Sequence, residues 1–583
     1  MYYINRFSTC NIICLMGLGF VLLIFQGVLQ AQGTDPETGF PWGKHNAPTG
    51  YISHFEQGTK VRSTRAAMSR AAQLLSSDEA RRQKEGCRVL GNILKYQDCN
   101  PESKTYGVWP WYVEEPLEEM LAVDYNWADF LGATLISILE DYPDRLPKEL
   151  LEQTKAALDR CCVCIIRRDV MPKYTNIAYM GAVVTAAGGE ILQKPDYLEY
   201  AKKRMERNIA AFEEIGGFCE YNSPTYTFVV LEEMERALQY VKDEQFRAMA
   251  QKMHKEVWKM IAAHFHPATR QWAGPFSRTY SDLLRPQDLT RILGRVGLVP
   301  LEQKANAVPV PTPLPCPEEF KAFFTRTLET PVVLHENYNN SRENFRESGA
   351  VYLDSDLCFG TASYYTFWFQ TRGMAAFWND SAGRPVALKQ RFLHNGRDFA
   401  SAAGRTRQEN RRAVTAYNLL SNCGSLQPGQ DRPKDKTFLA ESFQIVYELT
   451  GSEECTINQI NETQYELSAG KIRAVIHICP SSRFESAPIV WKTESDTDKK
   501  TVRLIGVCYS GEEKAFNMER MGEIRIGTGV ELLKANETPS NSPVIITDSV
   551  YTTKSEGAFY EVKWDSVDTN SQPLLAPVNT TKR

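Results

Sequence analysis

The apolar side chains of this chain change their period partway along it, and that change limits the fold more than any other feature. From about Val61 to about Arg295 they return at helical spacing. Trp127, Phe130, Leu131, Leu135, Ile138, Leu139 and Tyr142 share one helix face, and Phe228, Leu231, Met234, Leu238 and Val241 share another. Further helical stretches fall at residues 146–168, 176–192 and 197–215. Breaks fall at Tyr142-Pro143, Met171-Pro172, Lys194-Pro195 and Gly216-Gly217, where proline and glycine chemistry stops helices. After about Pro331 the period becomes two. Ile472, Ala474, Ile476 and Ile478 alternate with other side chains, and similar runs occur at residues 364–369, 443–449, 502–507 and 523–526. Alternating prolines from Pro309 to Pro317 predict a stiff, extended linker between the two regimes, with one more short helix from Glu318 to about Arg326.

A helix-period pattern cannot serve as a strand, so the chain is multidomain: α first, then β. Its 583 residues exceed what one core supports. Successive helices of similar length with short connections close as a bundle, a solenoid or an α/α-toroid. Many short strands separated by turns predict an antiparallel β-sandwich. The expected division is a leader over residues 1–31, a helical domain over 34–330, a sandwich over 331–568 and a loose tail over 569–583. The formal charge of -4 supplies no broad basic field, which argues against a nucleic-acid partner.

Arg6 precedes an uncharged apolar run from Ile12 to Leu29, followed by the small and polar Gln30-Ala31-Gln32-Gly33. This pattern predicts a secretory signal cut near Ala31, a secreted or periplasmic protein, and no stable membrane span after cleavage. Of the 14 cysteines, two fall in that leader. Cys161, Cys162 and Cys164 cluster in an apolar helical run and are expected as buried thiols. Cys161 and Cys164 have CxxC spacing, but no second pair completes a zinc site. The expectation is therefore no metal and no cofactor; a divalent ion is compatible with the chain, but no ligand constellation specifies one.

Four segments of the helical half crowd polar and aromatic groups at helix ends. Trp109-Pro110-Trp111 with Asp124-Tyr125-Asn126-Trp127 suits sugar faces and hydroxyls, and it equally suits core tryptophans with a helix cap. Asn176 in Tyr174-Thr175-Asn176-Ile177 fits a helix cap or an amide donor to a ligand carboxylate. Glu220-Tyr221-Asn222-Ser223-Pro224-Thr225-Tyr226 packs many hydrogen-bonding side chains behind a Gly-Gly break, as binding loops do. Trp272, Arg278 and Tyr280 follow His264 and His266. Arg278 suits bidentate carboxylate recognition or a structural ion pair. In the β half, His394 stands in Leu393-His394-Asn395-Gly396 and serves either as a structural residue or as a proton carrier near neutral pH.

Two of these segments carry a family resemblance. Asn176-Ile177-Ala178 through Ala187-Gly188-Gly189 is similar to the Asn-His helix ending in Ala-Gly of polysaccharide lyases of the heparinase II/III and alginate-lyase type. Glu220 to Thr227 is similar to their Glu-x-Ser-Pro-x-Tyr-His segment, with one residue inserted. The resemblance implies an incomplete (α/α) toroid followed by an antiparallel β-sandwich, and β-elimination on a uronic-acid polysaccharide. It implies that Asn176 neutralises the uronate and that Tyr226 is the phenolic acid or base. The family histidines are replaced by Ile177 and Thr227. The sheet-domain His-Gly-His-Ala-Asp motif is missing, its neighbourhood being Gly360-Thr361-Ala362-Ser363-Tyr364.

β-Elimination removes a weakly acidic proton beside a carboxylate, so it needs charge on that carboxylate, a base, and an acid at the leaving oxygen. The expected catalytic set is Asn176, Tyr226, Arg278 and His394. The expected substrate-binding set is Trp109, Trp111, Asn126, Trp127, Glu220, Tyr221, Asn222, Trp272 and Tyr280. The expected partner is an acidic polysaccharide or oligosaccharide. Two rivals stand beside this reading. One is a toroid glycoside hydrolase pairing Glu220 with Asp282 or Asp124. The other is a non-catalytic glycan-binding relative.

Overall fold

The computed structural model describes residues 33–301, 311–339, 347–419, 423–553 and 557–565. The expected leader and loose tail lie outside the described residues, as does the start of the proline-rich segment. The chain follows the expected order, helices first and then an antiparallel sandwich. It forms two compact units, the first ending at Arg168 and the second beginning at Asp169.

The first unit contains α1 (Thr64–Leu75), α2 (Ala80–Leu94), α3 (Asn126–Asp141) and α4 (Lys148–Arg168). α1 packs on α2 and α3 on α4, and α1 also meets α3. α3 is buried almost all round, as its nearly continuous apolar sequence requires. The thiols of Cys161, Cys162 and Cys164 are buried in α4, and burial pushes Cys164 up to about 12. The expected sugar-binding tryptophans are spent in this core. Trp109 Nε1 donates to the Ile93 carbonyl at 3.0 Å, Trp127 Nε1 to Thr64 Oγ1 at 2.9 Å and Trp111 Nε1 to Asp124 Oδ2 at 3.1 Å. Trp111 and Trp127 stack at 5.1 Å. Asp124 accepts the first backbone N–H of α3, and Asn126 Oδ1 accepts from Arg168 Nη1 at 2.7 Å.

The second unit begins with α5 (Thr175–Ile191), α6 (Pro195–Ile215), α7 (Tyr226–Tyr240), α8 (Glu244–His264) and α9 (Pro286–Val296). α5 packs on α6 and on α7, and α7 on α8. The described prolines of the expected linker run extended. Leu314 N–H is tied to Glu235, and Cys316 N–H to the Arg295 carbonyl. The short helix expected near Glu318 is one α-turn, Glu318–Lys321, continued as 3-10 over Ala322–Phe324.

Among the described residues the sandwich has two antiparallel sheets, each of nine strands once the short strands Arg397–Asp398 in one and Arg483–Phe484 and Ala487–Pro488 in the other are counted. Its strands begin with β1 (Val332–Asn339), β2 (Glu347–Leu353), β3 (Leu357–Ala362), β4 (Tyr364–Thr366), β5 (Met374–Asn379) and β6 (Pro385–His394). β7 (Ala402–Glu409), β8 (Arg412–Leu419), β9 (Thr437–Thr450), β10 (Thr456–Asn461), β11 (Gln464–Ala469) and β12 (Ile472–Ile478) follow. β13 (Val490–Asp496), β14 (Thr501–Asn517) and β15 (Ile524–Lys534) complete the main sheets. One sheet runs β13-β14-β9-β6-β5-β3-β2-β1 and the other β10-β11-β12-β15-β8-β7-β4. A hairpin of β16 (Val544–Thr553) and β17 (Gly557–Trp564) packs outside the second sheet, through Val544, Ile546 and Phe559.

Both sheets feed one core, in which Trp378, Leu388 and Tyr447 meet Tyr417, Ile476 and Val530. A buried polar network crosses this core. Gln390 Nε2 donates to Tyr447 at 2.7 Å and also to Tyr417, Gln390 Oε1 accepts from Tyr365, and Tyr417 and Tyr447 both reach Thr528. Every phenol there has a partner, the condition under which buried polar groups hold a unique packing.

Candidate functional site

The site grows from the start of α5. The first backbone N–H groups of a helix have no partner inside it, and a carboxylate there is favoured by the helix dipole. Glu220, 44 residues on, supplies that carboxylate. Its Oε2 accepts from the Asn176 backbone N–H at 2.8 Å and from Asn176 Nδ2 at 2.6 Å. Its own N–H donates to Thr175 Oγ1 at 3.1 Å. Asn176 is therefore not the cap of α5; it is fully buried and its amide is committed to Glu220.

The other carboxylate oxygen holds Arg278. Nη1 donates to Glu220 Oε1 at 2.8 Å, and Nε donates to Gln370 Oε1 at 2.9 Å. The chain delivers Gln370 by backbone pairing: Phe276 and Arg372 exchange both hydrogen bonds, and Thr279 N–H donates to the Gln370 carbonyl. Gly360 admits this approach, because a Cβ there would lie 1.8 Å from the Gly274 carbonyl oxygen. Ser223 ties both sides, donating from Oγ to the Arg278 carbonyl at 2.6 Å and accepting the Tyr226 N–H at 3.0 Å.

Three rings surround the Arg278 guanidinium. Its central carbon lies 4.4 Å from the Tyr226 ring centre, 5.0 Å from Trp368 and 5.7 Å from Tyr174. Tyr226 OH and Tyr280 OH are 2.7 Å apart. Tyr226 is buried, whereas Tyr174, Tyr280 and Trp368 are half-buried. The Arg278 side chain keeps 16% of its exposure, and among the described residues its Nη2 makes no hydrogen bond. Gln370 is fully buried, and its Nε2 has no partner among the described residues. Burial pushes the Tyr226 phenol well above its ordinary range, despite the opposing pull of Arg278.

The chain thus brings together Asn176, Glu220, Tyr226, Arg278 and Tyr280. Asn222 and Trp272 lie behind them. Trp272 Nε1 donates to Asn222 Oδ1 at 2.6 Å, and Asn222 Nδ2 donates to the Ala273 and Pro275 carbonyls. Tyr221 turns the other way, donating to Glu336 Oε2 at 2.6 Å; His264 Nε2 meets the same oxygen at 3.0 Å. His266 is buried between Thr269 and the Asp354 carbonyl. His394 bonds the Leu439 carbonyl and stacks on Phe443, contacts it shares with no member of the Arg278 cluster. Sequence reasoning did not select Tyr174, Trp368 and Gln370 for the site. Tyr174 adjoins a segment already singled out. Trp368 and Gln370 carry no local motif, and only backbone pairing between 276–279 and 370–372 places them. Among the described residues no group of His, Cys, Asp and Glu is arranged to hold a metal ion, and no helix is long and apolar enough to cross a membrane.

Residues 43–298 match a family model described as a domain of unknown function (DUF8769). No curated protein matches the sequence. Among solved structures, the chain is similar to a crystal structure of heparinase III, with 10% identity over 86% of this chain and 81% of that one, at a TM-score of 0.41. It is similar to the heparan sulfate lyase HepC from Pedobacter heparinus, with 9% identity over 83% and 78% at 0.35, and to the heparinase III BT4657 gene product, with 9% identity over 86% and 84% at 0.34.

Proposed function

We propose that this protein is a secreted or periplasmic polysaccharide lyase that cleaves uronic-acid glycans by β-elimination. The observation that carries this reading is Arg278: a guanidinium fixed on two sides and ringed by aromatics, whose Nη2 makes no hydrogen bond among the described residues. A fixed fork of this kind suits a carboxylate, and the rings beside it suit sugar C–H faces. Arg278, rather than Asn176, takes the uronate carboxylate and stabilises the enolate that forms when C5 loses its proton. Asn176 and Glu220 are positioning residues, which hold Arg278 in place.

Tyr226 stays neutral in its buried setting and protonates the leaving O4 as the C4–O4 bond breaks and the C4=C5 bond forms. Tyr280, joined to it by one hydrogen bond and half-exposed, enters the cycle as the phenolate, its own proton already released to solvent, and accepts the C5 proton. The short bond between the two hydroxyls lets the proton return to Tyr226 for the next cycle.

The paired-carboxylate hydrolase is disfavoured. Glu220 is occupied by Asn176 and Arg278. Asp282 is held by Arg372 and Lys389, whose charges keep its carboxyl well below the usual range, so it cannot serve as a protonated acid. One observation favours a glycan-binding relative without activity: Ile177 and Thr227 stand in the family's histidine positions, and both are fully buried. Incubation with a panel of uronic-acid polysaccharides separates the two. A rise in ultraviolet absorbance from the new double bond, abolished in Tyr226→Phe, is the lyase result; binding without any absorbance change refutes it.

A further inference from the structure

A cleft of about 310 Å³ opens in the sandwich, and none of the residues lining it belongs to the Arg278 cluster. It forms where the second sheet ends. β4 pairs with β7 only over Ala403–Arg405, so beyond that point β7 is a sheet edge. Arg405 and Arg407 lie two residues apart and so share one face of β7. Their register partners are Ala416 and Val414, small enough to leave space between the arginines and the β16–β17 hairpin. Phe559 of the hairpin stands 5.7 Å from the Arg405 guanidinium carbon.

The cleft continues around the strand edge onto the other sheet. His335, Ala350 and Thr361 are register partners across β1, β2 and β3, and all three line it. Thr361 is oriented by its hydrogen bond to Gln408, at 2.9 Å. Among the described residues, the wall holds the guanidiniums of Arg405 and Arg407 and the carboxylate of Glu561, with hydroxyl and amide groups opposite an apolar face. The volume is near the lower end for small-molecule sites, which suits one or two sugar rings rather than a long chain.

We infer that this cleft is a second saccharide site, taking a short uronate-bearing glycan whose carboxylate sits between Arg405 and Arg407. The choice of a uronate rests on the proposed function; the site itself rests on the arginine pair and the cleft. The inferred role is binding, at a cleft that His335, Tyr560 and Glu561 also line.

The test uses the full chain carrying Arg278→Ala, so that only the second site is scored. Calorimetric titration with a disaccharide of glucuronic acid and N-acetylglucosamine should show one saturable site. Affinity should fall about tenfold or more with Arg405→Ala plus Arg407→Ala, and about as much for the carboxyl methyl ester of the same disaccharide. Ala350→Leu, which fills the cleft and keeps both arginines, should weaken binding as well. Absence of binding, equal binding of acid and ester, or binding unaffected by both sets of substitutions would overturn the inference. Failure of the lyase reading is seen separately, as an unchanged ultraviolet spectrum when the native chain meets polysaccharide.

Discussion

Glu220 joins Asn176 to Arg278 with its two oxygens: Oε2 takes both donors of Asn176, and Oε1 takes Arg278 Nη1 at 2.8 Å. One buried carboxylate thereby caps a helix and fixes the cation that the proposed chemistry needs.

Removing that carboxylate leaves Arg278 without its counter-charge. Glu220→Gln keeps the shape but not the charge, and should destabilise the protein by about 3 kcal/mol, as breaking a buried pair does. It should also release Arg278, raising KM for a uronic polysaccharide. Urea unfolding measures the first effect and steady-state kinetics the second. A variant as stable and as active as the native chain would show that Glu220 neither caps nor positions.

Tyr226→Phe keeps the ring against Arg278 and deletes only the hydroxyl. Turnover should fall by about 10²–10⁴, with the melting temperature nearly unchanged. Because burial raises the phenol's pKa, the group stays protonated to higher pH than a free tyrosine. Tyr226 should therefore contribute no loss of kcat up to pH ~10, and any alkaline fall below that belongs to another group. A pH–rate profile checks this directly.

His264 and Tyr221, both buried, form a cluster with the half-buried Glu336 in which the imidazole and the phenol share Glu336 Oε2. Glu336 raises the pKa of His264 against its burial, and His264 in turn lowers that of Glu336. The His264 contribution is complete below its unfolded value of about 6.5 and is lost as pH rises through the raised folded value. The Glu336 contribution is complete above about 4.3 and is lost as pH falls through the lowered folded value. Stability from this cluster should thus be greatest between those limits. Denaturant midpoints measured across pH should flatten on the alkaline side in His264→Gln; an unchanged curve would remove the cluster from the account.

The Gln390 network predicts a core defect. Gln390→Ala leaves Tyr365, Tyr417 and Tyr447 short of partners and opens a void, so unfolding should be easier by about 2–4 kcal/mol. Combining it with Tyr365→Phe should cost less than the sum of the two changes, since the partner is already gone.

Gly360 admits no side chain, because Gly274 occupies the space of its Cβ. Gly360→Ala should separate segment 276–279 from 370–372 and loosen Arg278. Loss of activity greater than the loss of stability, measured side by side, is the expected outcome.

The amino-acid sequence by itself determined the order of the architecture. Side-chain period is a local property, and the 3.6-residue face of Trp127 to Tyr142 and the alternation of Ile472 to Ile478 each commit a segment wherever it ends up in space. It also carried the short segments around Asn176 and Tyr226, since turn and helix-start chemistry is local too. The roles within those segments were decided by tertiary structure. Asn176 is committed to Glu220, 44 residues away; Arg278 depends on Gln370, 92 residues away; and Tyr221 is directed to Glu336, 115 residues away. A side chain's chemistry depends on which partner takes its hydrogen bonds and how much water remains. Sequence periodicity fixes faces, but only packing brings distant donors and acceptors within 3 Å.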